Sequence, residues 1–137
     1  MRKERKLLGG GPGDIPIVHT LYDIYAEWNE IVEKFPKVQR YALGERVSLH
    51  TLTVLELVLT ASANTKDQEK LTALQQASAK LDLIKLLVRL SKDCKCIGNN
   101  QYLHIESRLI ETGKMLGGWI KRTQEDFRKT EEDKEAR

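Results

Sequence analysis

The sequence has no apolar run approaching the ~20 residues that a membrane-spanning helix needs. Its Met-Arg-Lys-Glu-Arg-Lys start has no apolar core of a secretory signal, so the expected location is the cytoplasm, with no membrane partner. Cysteine is nearly absent. Cys94 and Cys96 are separated by one residue, which is not the CxxC spacing of redox or zinc sites, and free thiols are expected. His19, His50 and His104 are scattered with no second ligand one turn away, which predicts no metal site and no cofactor. There is no glycine-rich phosphate loop after a strand and no serine or cysteine with an identifiable base. An enzyme acting on a small molecule is therefore not expected. Aromatic residues make up only 6% of the chain and are not interleaved with its bases, which argues against base stacking or sequence readout.

Proline is scarce too, with Pro12 near the start and Pro16 and Pro36 at predicted helix starts, so long uninterrupted helices are possible. The chain is one domain of 137 residues. Its centre is Leu81-Asp82-Leu83-Ile84-Lys85-Leu86-Leu87-Val88-Arg89-Leu90, whose apolar side chains spread over roughly 220° of a helix. Such a helix needs cover from two directions. The narrow remainder is basic, because Lys85, Arg89 and Lys92 lie within roughly 60° of one another.

Residues 1–14 are basic and then glycine-rich, and are expected to form a flexible tail. The bundle domain is predicted to span residues 15–123. Asp14 and Pro16 suggest the cap and first turn of a helix reaching about Lys34, with Leu21, Ile24, Trp28, Ile31 and Phe35 inside and Asp23, Glu27 and Glu30 outside. A second helix is predicted from Lys37 to Ala63. One of its stripes holds Val38, Tyr41, Ala42, Leu49, Leu52 and Leu59, interrupted by Glu45 and Glu56; Leu43, Val47, Val54 and Leu57 lie roughly opposite. A carboxylate in such a stripe needs a base from a neighbouring helix or subunit, so structural ion pairs are expected for Glu45 and Glu56. Thr65 and Gln68 have capping-box spacing and open a third helix ending near Lys92.

Gly98-Asn99-Asn100 caps a fourth helix from about Gln101, burying Tyr102, Ile105, Leu109, Thr112, Leu116 and Ile120. Gly113 and Gly117 lie side by side on it, and close helix packing beside Trp119 is the expected compensation for their poor helix propensity. Residues 124–137 carry mixed charge and read as a charged helical extension or disordered tail. Short connections between long helices predict an all-α, antiparallel up-down-up-down four-helix bundle. The second apolar faces of the second and third helices predict an oligomer.

The net charge of +3 is too small to identify a nucleic-acid binder, but the charge is segregated. Residues 15–33 carry four acids and no Lys or Arg, whereas Lys34, Lys37, Arg40 and Arg46 precede or open the second helix and Lys80, Lys85, Arg89, Lys92 and Lys95 mark the third.

Three segments together carry a family likeness: Arg40-Tyr41-Ala42-Leu43-Gly44-Glu45-Arg46, Leu81 to Leu90, and Gly113-Lys114-Met115-Leu116-Gly117-Gly118-Trp119-Ile120-Lys121. In this order and spacing, from about Leu21 to Lys121, the sequence resembles the accessory variability determinant (Avd-like) proteins of diversity-generating retroelements. The resemblance implies a bundle assembling as a homopentameric barrel without catalytic activity. It also implies binding to the retroelement's reverse transcriptase and to template-repeat RNA and cDNA, in support of mutagenic cDNA synthesis and retrohoming. Carried onto this chain, the expected nucleic-acid and partner contacts are Arg40, Arg46, Lys85, Arg89, Lys114 and Lys121, with Lys92 added by the basic stripe. Bundle proteins encoded within 23S ribosomal RNA intervening sequences share the fold and the oligomer, and a protein-only oligomeric scaffold is a further alternative.

Overall fold

The computed structural model describes residues 15–137, so the expectations for the leading tail and for Asp14 as a cap lie outside the described residues. Every regular element among the described residues is a helix, with no strand. Helix α1 (Pro16–Val32) opens with proline in its first turn, behind an extended Ile15. Its buried face holds Ile17, Val18, Leu21, Ile24 and Trp28, and two tight turns through Lys34 and Phe35 end it before Pro36.

The second predicted helix is not uninterrupted. It consists of a short α2 (Lys37–Gln39), a π-helical turn (Arg40–Gly44) and α3 (Glu45–Ala63). The reason lies at Gly44 and Trp28. The buried Trp28 indole donates to the Gly44 carbonyl at 2.8 Å. A Cβ on Gly44 would lie 2.8 Å from Val32 Cγ1, so only glycine lets the turn sit this close to α1. A π turn takes in about one extra residue and rotates the flanking faces by roughly 100°. The stripe expected from Val38 to Leu59 faces outward on both sides of the turn, with Val38, Tyr41 and Ala42 exposed before it. The face of α3 that meets the core is Val47, Thr51, Val54, Val58 and Ala61, while Leu49 and Leu52 are exposed.

Helix α4 (Asp67–Asp93) buries Ala73, Leu74, Ala77, Leu81, Ile84, Val88 and Ser91. The expected Thr65–Gln68 capping box is not made, because Lys66 occupies the cap position and puts Gln68 one residue too early. Asp67 and Glu69 in the first turn complement the helix dipole instead. At the other end Lys95 takes the left-handed conformation (φ 63°), and the Cys96 amide donates to the Ser91 carbonyl at 2.8 Å.

Helix α5 (Asn99–Glu135) starts where Gln101 Oε1 accepts the Gly98 amide at 3.4 Å. It runs well beyond the expected end near Lys121, so the charged C-terminal segment is the helical extension. Arg128–Glu132 and Glu131–Lys134 pairs support it along its surface, and Phe127 is half-buried.

Cross-contacts run antiparallel throughout: Trp28 against Gly44, Leu57 against Gln76, Lys92 against Tyr102, and Thr20 against Met115. Going round the bundle the order is α1, α3, α4, α5 and back to α1, with α1 diagonal to α4 and α3 diagonal to α5. This is the up-down-up-down arrangement. Its core centres on Trp28, which is 0% exposed and meets Phe35 edge-on at 5.5 Å between ring centroids.

Candidate nucleic-acid and partner surfaces

The basic residues singled out by the sequence fall in different settings. Arg40 is half-buried in the π turn, and its Nη2 donates to the Glu33 carbonyl at 2.6 Å. A cation there caps the C-terminal end of α1, so part of this guanidinium is committed to the fold. Arg46 is exposed on α3, one turn before His50, with Lys80 of α4 alongside. Burial pushes the His50 imidazole below its ordinary value, and the positive charges of Lys80 and Arg46 add to the effect. Arg46 and Lys80 make a pair of cations flanking His50 across α3 and α4, of which the sequence reading singled out Arg46 alone as a site.

Lys85, Arg89 and Lys92 lie along the groove between α4 and α5. Lys85 is half-buried, its Nζ 3.1 Å from where a Cβ on Gly113 would stand. Gly113 therefore makes a notch for a lysine side chain rather than a contact between two helix backbones. Lys92 covers the Tyr102 ring at 4.7 Å, a cation–π contact, and Arg89 is exposed. Asp82 and Glu106 line the same groove, so its potential is mixed. Burial, then the charge and hydrogen bond of Glu106, push the Tyr102 hydroxyl up.

Lys114 and Lys121 are exposed on α5. Gly117 is exposed, and a Cβ on it would meet nothing within 4 Å, so the expected close helix packing is not made there within one chain. Trp119 is half-buried against the core and lines a groove with Lys114 and Arg122. Glu45 and Glu56 are exposed, and neither forms an ion pair within the chain among the described residues, where they stand between leucines that are themselves uncovered.

The ion pairs that do cross between helices lie elsewhere. Asp23 is buried and Glu27 half-buried, not on an acidic outer face, because both look at α5. Arg108 reaches Glu27 at 2.9 Å and Asp23 at 3.8 Å, and His104 Nε2 sits 3.1 Å from Glu27. The signal was present in two i, i+4 pairs of opposite charge, Asp23/Glu27 and His104/Arg108, on helices that the topology makes neighbours.

Cys94 is exposed and Cys96 half-buried, both as free thiols, and burial pushes the Cys96 thiol up. Among the described residues no group of three His, Cys, Asp or Glu side chains is placed to hold a metal ion, and no helix is long and apolar enough to cross a membrane.

With these surfaces in place, comparison with known families is informative. The sequence model of a family described as bAvd-like matches residues 17–123. The chain belongs to the bAvd-like family. The match begins in the first turn of α1 and ends at Thr123, the last buried residue of α5, so it covers the packed bundle and leaves out the charged end of that helix. No curated protein matches the chain. The three segments that carry the Avd-like resemblance all lie inside the matched region. In this bAvd-like protein they form the π turn against α1, the C-terminal half of α4, and the part of α5 that carries Lys114, Trp119 and Lys121.

Proposed function

We propose that this bAvd-like protein is a non-catalytic accessory subunit of a diversity-generating retroelement, binding its reverse transcriptase and template-repeat RNA as a homopentamer in the cytoplasm. The observation that carries the reading is the family match over the whole packed bundle. Two physical features support it. Leu49, Leu52, Leu83, Leu86 and Leu90 are exposed on α3 and α4, and exposed apolar surface of this extent is of the kind that marks a protein contact. Within a ring, Glu45 and Glu56 would meet bases of the adjoining subunit. Arg46, Arg89, Lys92, Lys114 and Lys121 are exposed and Lys85 and Arg40 partly so; one subunit offers few phosphate contacts, and a ring repeats them. Bound to both polymerase and RNA, such a ring would hold template and enzyme together during error-prone copying into cDNA.

Purification of the tagged protein from its native host tests this reading. The expected result is a stoichiometric reverse transcriptase with one short structured RNA, released by salt. Ribosomal RNA fragments without a polymerase would overturn it in favour of an intervening-sequence bundle protein, and recovery of neither would leave a protein-only scaffold.

A further inference from the structure

On α5, Trp119 stands one turn before Arg122 and five residues after Lys114, and all three line one groove. Where α1 begins and α3 ends, an open groove of about 500 Å³ is lined by Ile15, Ile17, Ser62, Met115 and Trp119, with Lys114 and Arg122 also on its lining. Among the described residues no carboxylate lines it. Lys114 and Arg122 form no ion pair within 4 Å among the described residues. A Cβ on Gly118 would stand 3.4 Å from Arg122 Nη1, so the bare backbone leaves the guanidinium room to lie along the helix beside the groove.

We propose that this groove binds one nucleotide of single-stranded RNA, with the base against Trp119 and the flanking phosphates on Lys114 and Arg122. The inference rests on the reading of the protein as an RNA binder and gives that reading a site. Its chemistry matches a nucleotide in both parts: apolar surface with an indole takes a planar base whatever its sequence, and a guanidinium with an ammonium takes phosphate oxygens. The volume lies in the ordinary range for small-ligand pockets, about 300–1,000 Å³. The groove between α4 and α5 is less suited, because Asp82 and Glu106 oppose an anion there and its aromatic, Tyr102, is buried under Lys92.

The two tryptophans make the test direct. Trp28 is fully buried, so a change of tryptophan emission on adding ligand reports on Trp119. An unstructured oligoadenylate is titrated into the full chain at low salt, followed by tryptophan emission and, with a labelled oligomer, by anisotropy. Emission should be quenched with the same midpoint as the anisotropy rise. Trp119→Leu should weaken binding about tenfold and Trp119→Phe much less, as expected for a stacking platform. Lys114→Glu with Arg122→Glu, both at the surface, should weaken it at least as much with helicity unchanged in circular dichroism, which keeps the test informative if Trp119→Leu fails to fold. Binding by anisotropy with unchanged emission and unaltered affinity in these variants would overturn the groove while leaving RNA binding intact. No anisotropy change in the parent protein would overturn both. Quenching by polyglutamate but not by RNA would assign the groove to an acidic protein partner and overturn the proposal.

Discussion

Two glycines of this chain do opposite work. Gly44 is buried, its carbonyl accepts the Trp28 indole, and a Cβ on it would meet the two γ-methyls of Val32 at 2.8 and 3.1 Å. A β-branched valine cannot turn away. Gly44→Ala is expected to destabilise the chain by about 1–3 kcal/mol through overpacking, more than the roughly 1 kcal/mol that alanine gains in helix propensity. Gly117 stands in open space. Gly117→Ala should therefore stabilise the isolated chain by about 0.5–1 kcal/mol. Urea unfolding of the two variants reads both effects. Light scattering on Gly117→Ala adds a second reading: a lowered mass would show that another subunit's backbone comes close at this position, which no contact inside one chain requires.

At the scale of the helices, α1 is tied to α5 by the Arg108 pairs, with Thr20 Oγ1 against Met115 Sδ at 3.8 Å near the other end. Arg108 and its acids are largely shielded, the three side chains being 18%, 11% and 29% exposed for Arg108, Asp23 and Glu27. Removing the base leaves carboxylates in a poorly solvated place, so Arg108→Leu should cost about 2 kcal/mol, between the values of exposed and fully buried pairs. Adding Glu27→Leu should recover part of the loss, because the carboxylate closest to the removed base is then gone. Denaturant unfolding of the single and double variants measures the coupling. An Arg108→Leu variant as stable as the parent would show that the pairs are solvated in solution. The π turn belongs to this scale too, since its Gly44 carbonyl accepts the Trp28 indole and ties this segment to α1.

For the whole molecule the deciding feature is what the bundle leaves uncovered. Leu86 is 62% and Leu49 56% exposed on the outer face of α4 and α3. Water contact over so much leucine would be relieved by a second copy or a partner protein. A mass several times that of one chain is expected by light scattering at micromolar concentration. Leu49→Glu with Leu86→Glu should lower that mass while leaving helicity intact, because neither side chain is needed by the core. A monomeric parent, or an unchanged mass in the variant, would place the contact elsewhere.

Sequence alone determined the number and kind of the long helices, their antiparallel order and the core faces of α1, α4 and the first part of α5, because helical periodicity, proline and short turns act locally. It also showed that the second and third predicted helices carry more apolar surface than one chain can bury. The tertiary structure decided what depends on a distant neighbour. The Val32 and Trp28 side chains of α1 hold Gly44 in a π turn; α5 draws Asp23 and Glu27 inward; and Lys85 takes the space that Gly113 leaves. The start of α1 and the end of α3, which complete the groove beside Trp119, Lys114 and Arg122, are likewise invisible in the order of residues. Each of these rests on contacts made across helices, and a local pattern carries no record of what will be packed against it.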